Sequence, residues 1–313
     1  MKNFVLNYYP EFNCIAQNCK HTCCAGWDMC IDRDSLEKYK NDNSTFSQAL
    51  RDGIDFKKSQ FKADRLRRCA FLNGNGLCEI ILNLGEQSLC QICRDHPRFK
   101  VFFTGNEEMG LGFCCEEATR LILSYPDKIS PIPVNDDCND EKPTFIEQEV
   151  LKFRQTALDI VQNRSKSVMD RINELLSLCR ADLSFKDFAR ILKLFSSLEK
   201  MDKTWGKRLK ALKKQGHFLY DCDGLSLYFE QFLANSFYRH LTQAEDTVWV
   251  RAIALSCVFS WLVVASIYAN ERSTQNDFEF LCDVVRDFSC EVEYSLKNIK
   301  TLFSFANKFI KIK

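Results

Sequence analysis

The sequence has almost no excess of charge, and it has little glycine and histidine. Its 43 Lys and Arg residues balance 42 Asp and Glu residues, so the formal net charge is +1. A chain without a basic excess lacks the electrostatic field that attracts nucleic acid, and we expect no nucleic-acid partner. The four histidines are not paired at ligand spacing, which argues against a metal site built from imidazoles.

We expect neither a secretory leader nor a membrane segment. The start, MKNFVLNYYPEF, contains no apolar run of the length that a signal peptide needs. We therefore expect a cytoplasmic protein, and structural disulfides are rare in that compartment.

The uncharged run 252–269 is just long enough to span a bilayer. Its three serines and the absence of a second such run favour a buried core helix, so we expect no membrane association.

Cysteine is the residue that the chain has in excess. There are 17, and twelve of them lie between Cys14 and Cys138. In a reducing compartment such a density is more typical of metal binding than of disulfides. The remaining cysteines are scattered among apolar residues and are expected to be small buried side chains; they are Cys179, Cys222, Cys257, Cys282 and Cys290.

The front of the chain is rich in glycine and is expected to be rich in loops. Short helices are predicted at 35–41 and 115–124, and an alternating pattern around a turn at 104–106 predicts a β-hairpin. Residues 126–143 hold four of the six prolines, which predicts a linker. Beyond it, seven segments repeat apolar residues every three to four positions, which indicates helices.

These patterns predict a mainly α fold with two domains. A loop-rich cysteine-cluster module of residues 1–125 would pack on an all-helical bundle of residues 144–313, with 126–143 as the linker. Metal–ligand bonds would replace the hydrophobic core that the loop-rich module lacks.

The front cysteines fall into three groups whose spacing suits metal ligands. Thiolates are soft ligands and favour zinc, Cu(I) or iron–sulfur clusters. Zinc sites usually use two short C-x2-4-C pairs, and the surroundings of 19–23 and 90–93 do not match a finger or a ribbon. Iron–sulfur clusters accept more dispersed thiolates, so we favour a cluster and keep zinc as the alternative.

Position 26 is glycine, which excludes the C-x3-C-x2-C triplet of radical S-adenosylmethionine enzymes. The groups are Cys14, Cys19, Cys23, Cys24 and Cys30; Cys69, Cys78, Cys90 and Cys93; and Cys114 and Cys115.

Four stretches of this sequence resemble the flagellin lysine-N-methylases, the FliB family. They are YPEFNCIAQNCKHTCCAGWDMCID, CAFLNGNGLCEI, GEQSLCQICRDHPR and GLGFCCEEATRLIL, with a weaker helical match in LYFEQFLANSFYRH. The cysteine pattern is also similar to the broader YkgJ-type family of metal-chelating proteins. The resemblance runs from about residue 9 to about residue 123.

The resemblance implies a bacterial enzyme that methylates lysine side chains of flagellin, or of another protein, with S-adenosylmethionine. It also implies an iron–sulfur cluster, most simply of the 4Fe-4S type. Cys90 and Cys115 depart from the family pattern, while Cys30 and Cys138 lie outside the tightest groups. The family's metal-binding cysteines fall on Cys14, Cys19, Cys23, Cys24, Cys69, Cys78, Cys93 and Cys114.

No catalytic residue or cofactor pocket can be assigned from the sequence. A strand followed by a glycine-rich loop is absent, which argues against a Rossmann-like cofactor domain, and GNGLCE is expected to be a turn. Glu230 and Tyr228 are weak candidates for a general base, and a solvated helix face is the preferred interpretation of them.

Trp27 and Asp32 are expected to pack or cap beside the cysteines. Arg94, His96 and Arg98 are candidates for contacts with a cluster or an anionic group.

Two functions of different classes follow from these patterns. The first is a protein lysine N-methyltransferase that uses S-adenosylmethionine and carries an iron–sulfur cluster. The second is a non-enzymatic iron–sulfur or zinc module that senses redox state or metal and binds a partner through its helical domain. Methyl transfer requires a neutral amine, whereas lysine has a pKa near 10.4. An enzyme would therefore need a base or a desolvating pocket.

Overall fold

A computed structural model describes residues 2–134, 141–215, 223–271 and 277–311. Helix dominates the described residues, at 59% of the structure, so the predicted mainly α class is confirmed. The strands are β1 (Lys2–Leu6), β2 (Ile54–Asp55), β3 (Gln60–Phe61), β4 (Arg98–Phe103), β5 (Asn106–Leu111) and β6 (Pro131–Pro133).

The described helices divide into short ones near the cysteines and longer ones after residue 144. The short helices are α1 (Arg33–Lys40), α2 (Ser47–Gly53), α3 (Glu79–Leu84), α4 (Gln91–Asp95) and α5 (Glu116–Ser124). The longer helices are α6 (Phe145–Val161), α7 (Val168–Leu178), α8 (Phe185–Ser197), α9 (Lys203–Gln215), α10 (Ser226–His240), α11 (Thr247–Glu271), α12 (Asp277–Phe288) and α13 (Leu296–Asn307). A π-helical turn, Ser289–Glu293, follows α12.

The chain divides into two compact units whose boundaries differ from the predicted ones. The helical unit comprises Met1–Phe12, Phe99–Cys114 and Ala118–Lys313. The cysteine unit comprises Asn13–Arg98 and Cys115–Glu117. The cysteine unit is therefore inserted, in chain order, between β1 and the strands that complete its sheet. Proline-rich residues predicted to be a linker supply β6.

The helical unit contains a four-stranded sheet in the order β4-β5-β1-β6. β1 pairs in parallel with β5 and antiparallel with β6. β4 and β5 form the predicted hairpin, and Gly105 supplies the positive φ that its turn requires. Because β1 lies between β5 and β6, segments far apart in sequence must come together to complete the sheet.

Helix α11 forms the centre of the helical unit. It is the one described helix that is long and apolar enough to cross a membrane, and 94% of its apolar window is buried inside the protein. Trp261, near its middle, packs against Phe229 and Phe232 of α10 at ring distances of 5.7 and 5.6 Å. The prediction of a buried core helix at 252–269 is confirmed.

Helix α10 buries polar side chains as well as apolar ones. Asn235 accepts a hydrogen bond from the hydroxyl of Tyr8 at 2.5 Å and donates one to the carbonyl of Leu111 at 3.1 Å. Gln231 donates to the carbonyls of Tyr125 and Asp127. Buried backbone carbonyls need hydrogen-bond donors. The side chains of α10 supply these donors to β5 and to the segment that precedes β6.

The cysteine unit has a small core of its own. Its buried residues include Met29, Tyr39, Phe61 and Phe71 together with Cys69 and Cys90. Phe61 and Phe71 meet edge to face at 5.3 Å, a favourable arrangement of aromatic rings. Gly53 lets Phe71 approach closely, because a Cβ atom at Gly53 would lie 2.5 Å from that ring.

Candidate metal centre

Five cysteines lie in or against the core of the cysteine unit, and we call them the inner group. Cys69 and Cys90 are buried. The other three are half-buried and pack against the same core. The inner group is Cys24, Cys69, Cys78, Cys90 and Cys93.

Turns and helix starts position the inner group. Cys78 immediately precedes α3, and Cys90 immediately precedes α4. Cys69 and Cys78 flank a tight turn in which the Asn73 side chain accepts hydrogen bonds from the backbone N–H groups of residues 75 and 77. The predicted turn is confirmed at 74–76, whereas Glu79, the last residue of GNGLCE, already begins α3. The backbone N–H of Cys69 donates to the carbonyl of Cys24 at 2.8 Å, so distant parts of the sequence are held together.

The thiols of the inner group affect one another electrostatically. Burial, with smaller contributions from Cys24, Cys78 and Cys90, raises the pKa of Cys69 to about 12. Cys93 donates a hydrogen bond to Cys90, which raises the pKa of Cys93 and lowers the pKa of Cys90. Such a pair releases one proton readily and retains the second. A bound metal would displace both protons, because metals bind thiolates.

Four further cysteines form a second set in the same unit, the outer group: Cys14, Cys19, Cys23 and Cys115. Cys23 interacts electrostatically with Cys14 and Cys115, and Cys19 interacts with Cys115. Cys23 also donates a hydrogen bond to Cys24, which lowers the pKa of Cys24 to about 7. The Cys23–Cys24 pair therefore connects the outer group with the inner group.

Glu116 holds the loop that carries the outer group. Its carboxylate accepts hydrogen bonds from the backbone N–H groups of Lys20 and His21, at 2.8 and 3.1 Å. The thiol of Cys19 donates to the same oxygen at 3.6 Å. Hydrogen bonds to a charged acceptor are stronger than neutral ones. Glu116 is thus a positioning residue for Cys19, and sequence analysis did not single it out.

Cys114 is the one predicted ligand that does not belong to the cysteine unit. It belongs to the helical unit, where its carbonyl accepts a hydrogen bond from the thiol of Cys290 at 3.7 Å. Its side chain is hydrogen-bonded to Tyr294. The adjacent Cys115 belongs to the cysteine unit.

The remaining cysteines belong to neither group or fall outside the described residues. Cys30 is exposed and accepts a hydrogen bond from the side chain of Gln60. Cys179, Cys257 and Cys282 are buried, as predicted, and Cys290 is half-buried. Cys138 and Cys222 lie outside the described residues.

The residues that flank the inner group cap and pack, as predicted. Asp32 accepts hydrogen bonds from the backbone N–H of Ser35 in α1 and from that of Gln91 in α4. It therefore caps both helices. The indole N–H of Trp27 donates to the carbonyl of Cys23 at 2.8 Å, and its ring stacks on His96 at 6.4 Å.

The predicted basic residues after Cys93 are half-buried or exposed. Burial and the charge of Arg98 lower the pKa of His96 to about 4. His96 is therefore neutral at physiological pH. Arg98 donates to the carbonyls of Arg94 and His96. The guanidinium of Arg98 thus helps to fix the segment that follows Cys93.

The inner group offers only sulfur donors, which is the ligand type that cysteine supplies to an iron–sulfur cluster. Among the described residues, no three Cys, His, Asp or Glu side chains are arranged to hold one metal ion. A cluster spreads its thiolate ligands over several irons, so it suits a more dispersed set of cysteines. The five donors of the inner group are all soft sulfurs, as iron–sulfur chemistry requires. No disulfide links the cysteines of this unit, which the structure describes throughout.

The candidate bases on α10 have structural roles. Both oxygens of Glu230 are paired with Arg164, at 2.8 and 2.9 Å, and the carboxylate is fully buried. The preferred interpretation of Glu230 as part of a solvated helix face is therefore wrong. Tyr228 stacks on Phe278 at 5.2 Å, and burial raises the pKa of its hydroxyl.

Several bacterial proteins are similar to this chain. Flagellar biosynthetic protein FliU of Salmonella muenchen is 25% identical over 131 residues, which cover 39% of this chain and 78% of FliU. Lysine-N-methylase of Salmonella typhimurium is 25% identical over the same length, and that of Salmonella choleraesuis is 24% identical. The predicted resemblance to the flagellin lysine-N-methylases is confirmed as a distant one.

The extent of the similarity is limited. The match covers 33% of each Lysine-N-methylase, so the chain spans about a third of those relatives. No family model and no solved structure matches the chain.

Proposed function

We propose that this chain is a protein lysine N-methyltransferase that uses S-adenosylmethionine as the methyl donor. The observation that carries the proposal is the similarity to proteins named Lysine-N-methylase. The substrate would be a protein with exposed lysines, such as flagellin, since one similar protein is named as a flagellar biosynthetic protein.

The reaction is a displacement that involves no oxidation or reduction. The neutral ε-amine of lysine attacks the methyl carbon of the sulfonium, and a nitrogen–carbon bond forms as the carbon–sulfur bond breaks. The donor leaves as the neutral thioether S-adenosylhomocysteine, and the methylated amine keeps its positive charge until a proton is lost. The amine must be neutral before attack, so the site must lower the pKa of the substrate lysine by desolvation or by neighbouring charge.

We further propose that the inner group binds an iron–sulfur cluster of the 4Fe-4S type. Four of its five thiolates would suffice as ligands. Because methyl transfer needs no electron, the cluster would act by cross-linking the loops of the cysteine unit. Zinc is the alternative metal, since it also accepts thiolates.

The test is anaerobic purification of the full chain, with analysis of iron, acid-labile sulfide and zinc. The protein is then incubated with S-adenosylmethionine and flagellin. We expect iron and sulfide in equal amounts, and mass increments of one methylene unit on flagellin lysines. Heat-denatured protein is the control for non-enzymatic methylation.

Other outcomes point to the second function. A stable cluster with neither methyl transfer nor binding of S-adenosylmethionine would contradict the enzyme. It would indicate an iron–sulfur module that senses redox state and binds a partner. Stoichiometric zinc without sulfide would contradict the cluster and leave a metal-sensing zinc module.

A further inference from the structure

Helix α9 carries a local concentration of positive charge without any acidic residue. Its sequence, KTWGKRLKALKKQ, contains six basic residues and no acidic one. The whole chain has a formal net charge of only +1. The charge on α9 is therefore local and does not reflect a basic composition.

The two sides of α9 differ sharply. Trp205, Leu209 and Leu212 are buried in the helical unit. Arg208 lies at the edge of this apolar face and pairs with Glu271 and Asp287, at 3.3 and 3.2 Å. The opposite face is exposed and consists mainly of five lysines, which we call the lysine face: Lys203, Lys207, Lys210, Lys213 and Lys214.

The lysine face has no ion-pair partner within the described part of the chain. None of its five side chains forms an ion pair there. Lys203, Lys207, Lys210 and Lys214 follow the spacing of one helical stripe, which spans about 16 Å at 1.5 Å per residue.

Helix stability does not explain this face. Like charges three or four positions apart repel each other and destabilise a helix. A lysine in the first turn, such as Lys203, also opposes the helix dipole, and only Lys213 and Lys214 in the last turn complement it. Acidic residues at 203 and 207 would stabilise α9, so the lysines there oppose local stability.

We propose that the lysine face is a docking surface for an acidic segment of a partner protein. Lysine is a flexible point charge that suits acidic side chains at varied positions. Nucleic-acid surfaces typically add arginine and stacking aromatic rings, and the lysine face has neither. Membrane-surface helices insert apolar side chains, whereas those of α9 are buried. The inference concerns a surface, and it holds whether or not the chain transfers methyl groups.

The test compares two triple charge reversals in the full-length protein. The first, Lys203→Glu with Lys207→Glu and Lys210→Glu, removes the lysine face. The matched control, Lys38→Glu with Lys152→Glu and Lys300→Glu, makes the same change in net charge at exposed lysines on three other helices. The probe is a fluorescein-labelled peptide of alternating glutamate and glycine, and binding is followed by anisotropy without any methyl donor.

We expect the wild-type protein to bind this peptide and to lose affinity as salt rises from about 50 to about 200 mM. The α9 triple should weaken binding at least about tenfold, and the control should change it by less than about threefold. The thermal midpoint of the α9 triple should be equal to or higher than that of the wild type.

Three outcomes would overturn the proposal. The first is that the wild-type protein does not bind the peptide. The second is an equal loss of binding in both triples, which would show a response to net charge alone. The third is tighter binding to duplex DNA, or to vesicles that contain phosphatidylserine, at the same salt concentration. That result would assign the face to another class of partner.

Discussion

Glu293 lies at the centre of a buried polar network in the helical unit. Its carboxylate pairs with Arg239 at 3.2 Å and accepts hydrogen bonds from His240 at 2.7 Å and Ser289 at 2.5 Å. Burial alone would raise the pKa of Glu293. The charge of Arg239 and the hydrogen bonds outweigh burial and lower that pKa to about 2.

This lowered pKa predicts how stability depends on pH. A carboxylate with a pKa below its unfolded value of about 4.5 stabilises the fold fully above pH 4.5, and the contribution is lost as the pH falls towards 2. A shift of this size corresponds to about 3 kcal/mol. Glu293→Gln should therefore lower the free energy of unfolding by about 3 kcal/mol at pH 7, as measured by urea denaturation.

The matched control is Glu245→Gln, since Glu245 is exposed. It should change the free energy of unfolding by less than about 0.5 kcal/mol. The difference between wild type and Glu293→Gln should shrink between pH 4.5 and pH 2. An equal difference at every pH would show that Glu293 contributes packing rather than charge.

Substitution of single cysteines tests whether the inner group binds the proposed cluster. Cys90 is buried in the inner group, whereas Cys30 is exposed and lies outside both groups. We expect Cys90→Ser to reduce iron and sulfide content by more than half, and Cys30→Ser to leave them unchanged. Metal analysis and the visible absorption spectrum measure both. Full iron content in Cys90→Ser would remove Cys90 from the ligand set.

Sequence comparison alone could not divide the front cysteines in this way. The family pattern favoured Cys114 and passed over Cys90 and Cys115. In the structure, Cys90 belongs to the inner group, Cys115 to the outer group and Cys114 to the helical unit. Adjacent residues at the junction of two units have different surroundings, and linear spacing does not reveal them. Which cysteines bind metal stays a prediction.

At the scale of elements, the helices after residue 144 were largely predictable. Their apolar residues repeat every three to four positions, and caps such as Thr144 and Glu147 mark the start of α6. Helix α9 was overlooked because its high charge obscures a short apolar repeat at 205, 209 and 212. The polar contacts of α10 could not be predicted, since their partners lie more than sixty residues away in sequence.

Helix α11 predicts a large effect of a single core substitution. Trp261 is fully buried, whereas Trp249 in the first turn of the same helix is partly exposed. Trp261→Ala should lower the free energy of unfolding by about 3–5 kcal/mol, because a large cavity would remain. Trp249→Ala should cost less than about 2 kcal/mol. Equal losses in urea denaturation would contradict the central role of α11.

At the scale of the whole molecule, the two units should respond differently to metal removal. The cysteine unit has a small hydrophobic core. The helical unit has an extensive core around α11. If a metal centre holds the cysteine unit together, chelation should open that unit alone.

Amide hydrogen exchange measures this difference directly. After treatment with an iron chelator under anaerobic conditions, we expect faster exchange within 13–98 and unchanged exchange in α10 and α11. Protein with reconstituted iron and sulfide should recover the slow exchange. If chelation leaves exchange within 13–98 unchanged, the cysteine unit is stable without metal.

The order of the two units along the chain has a consequence for biosynthesis. During synthesis, β1 emerges some hundred residues before β5, the strand with which it pairs in parallel. The stretch that supplies β5 is followed at once by Cys115, the last member of the outer group. The nascent chain therefore obtains its final outer thiol after β5 but before β6, the other partner of β1. Any factor that delivers metal to the complete outer group must act on a chain in which β1 and β5 can already pair, whether or not β6 has been synthesised.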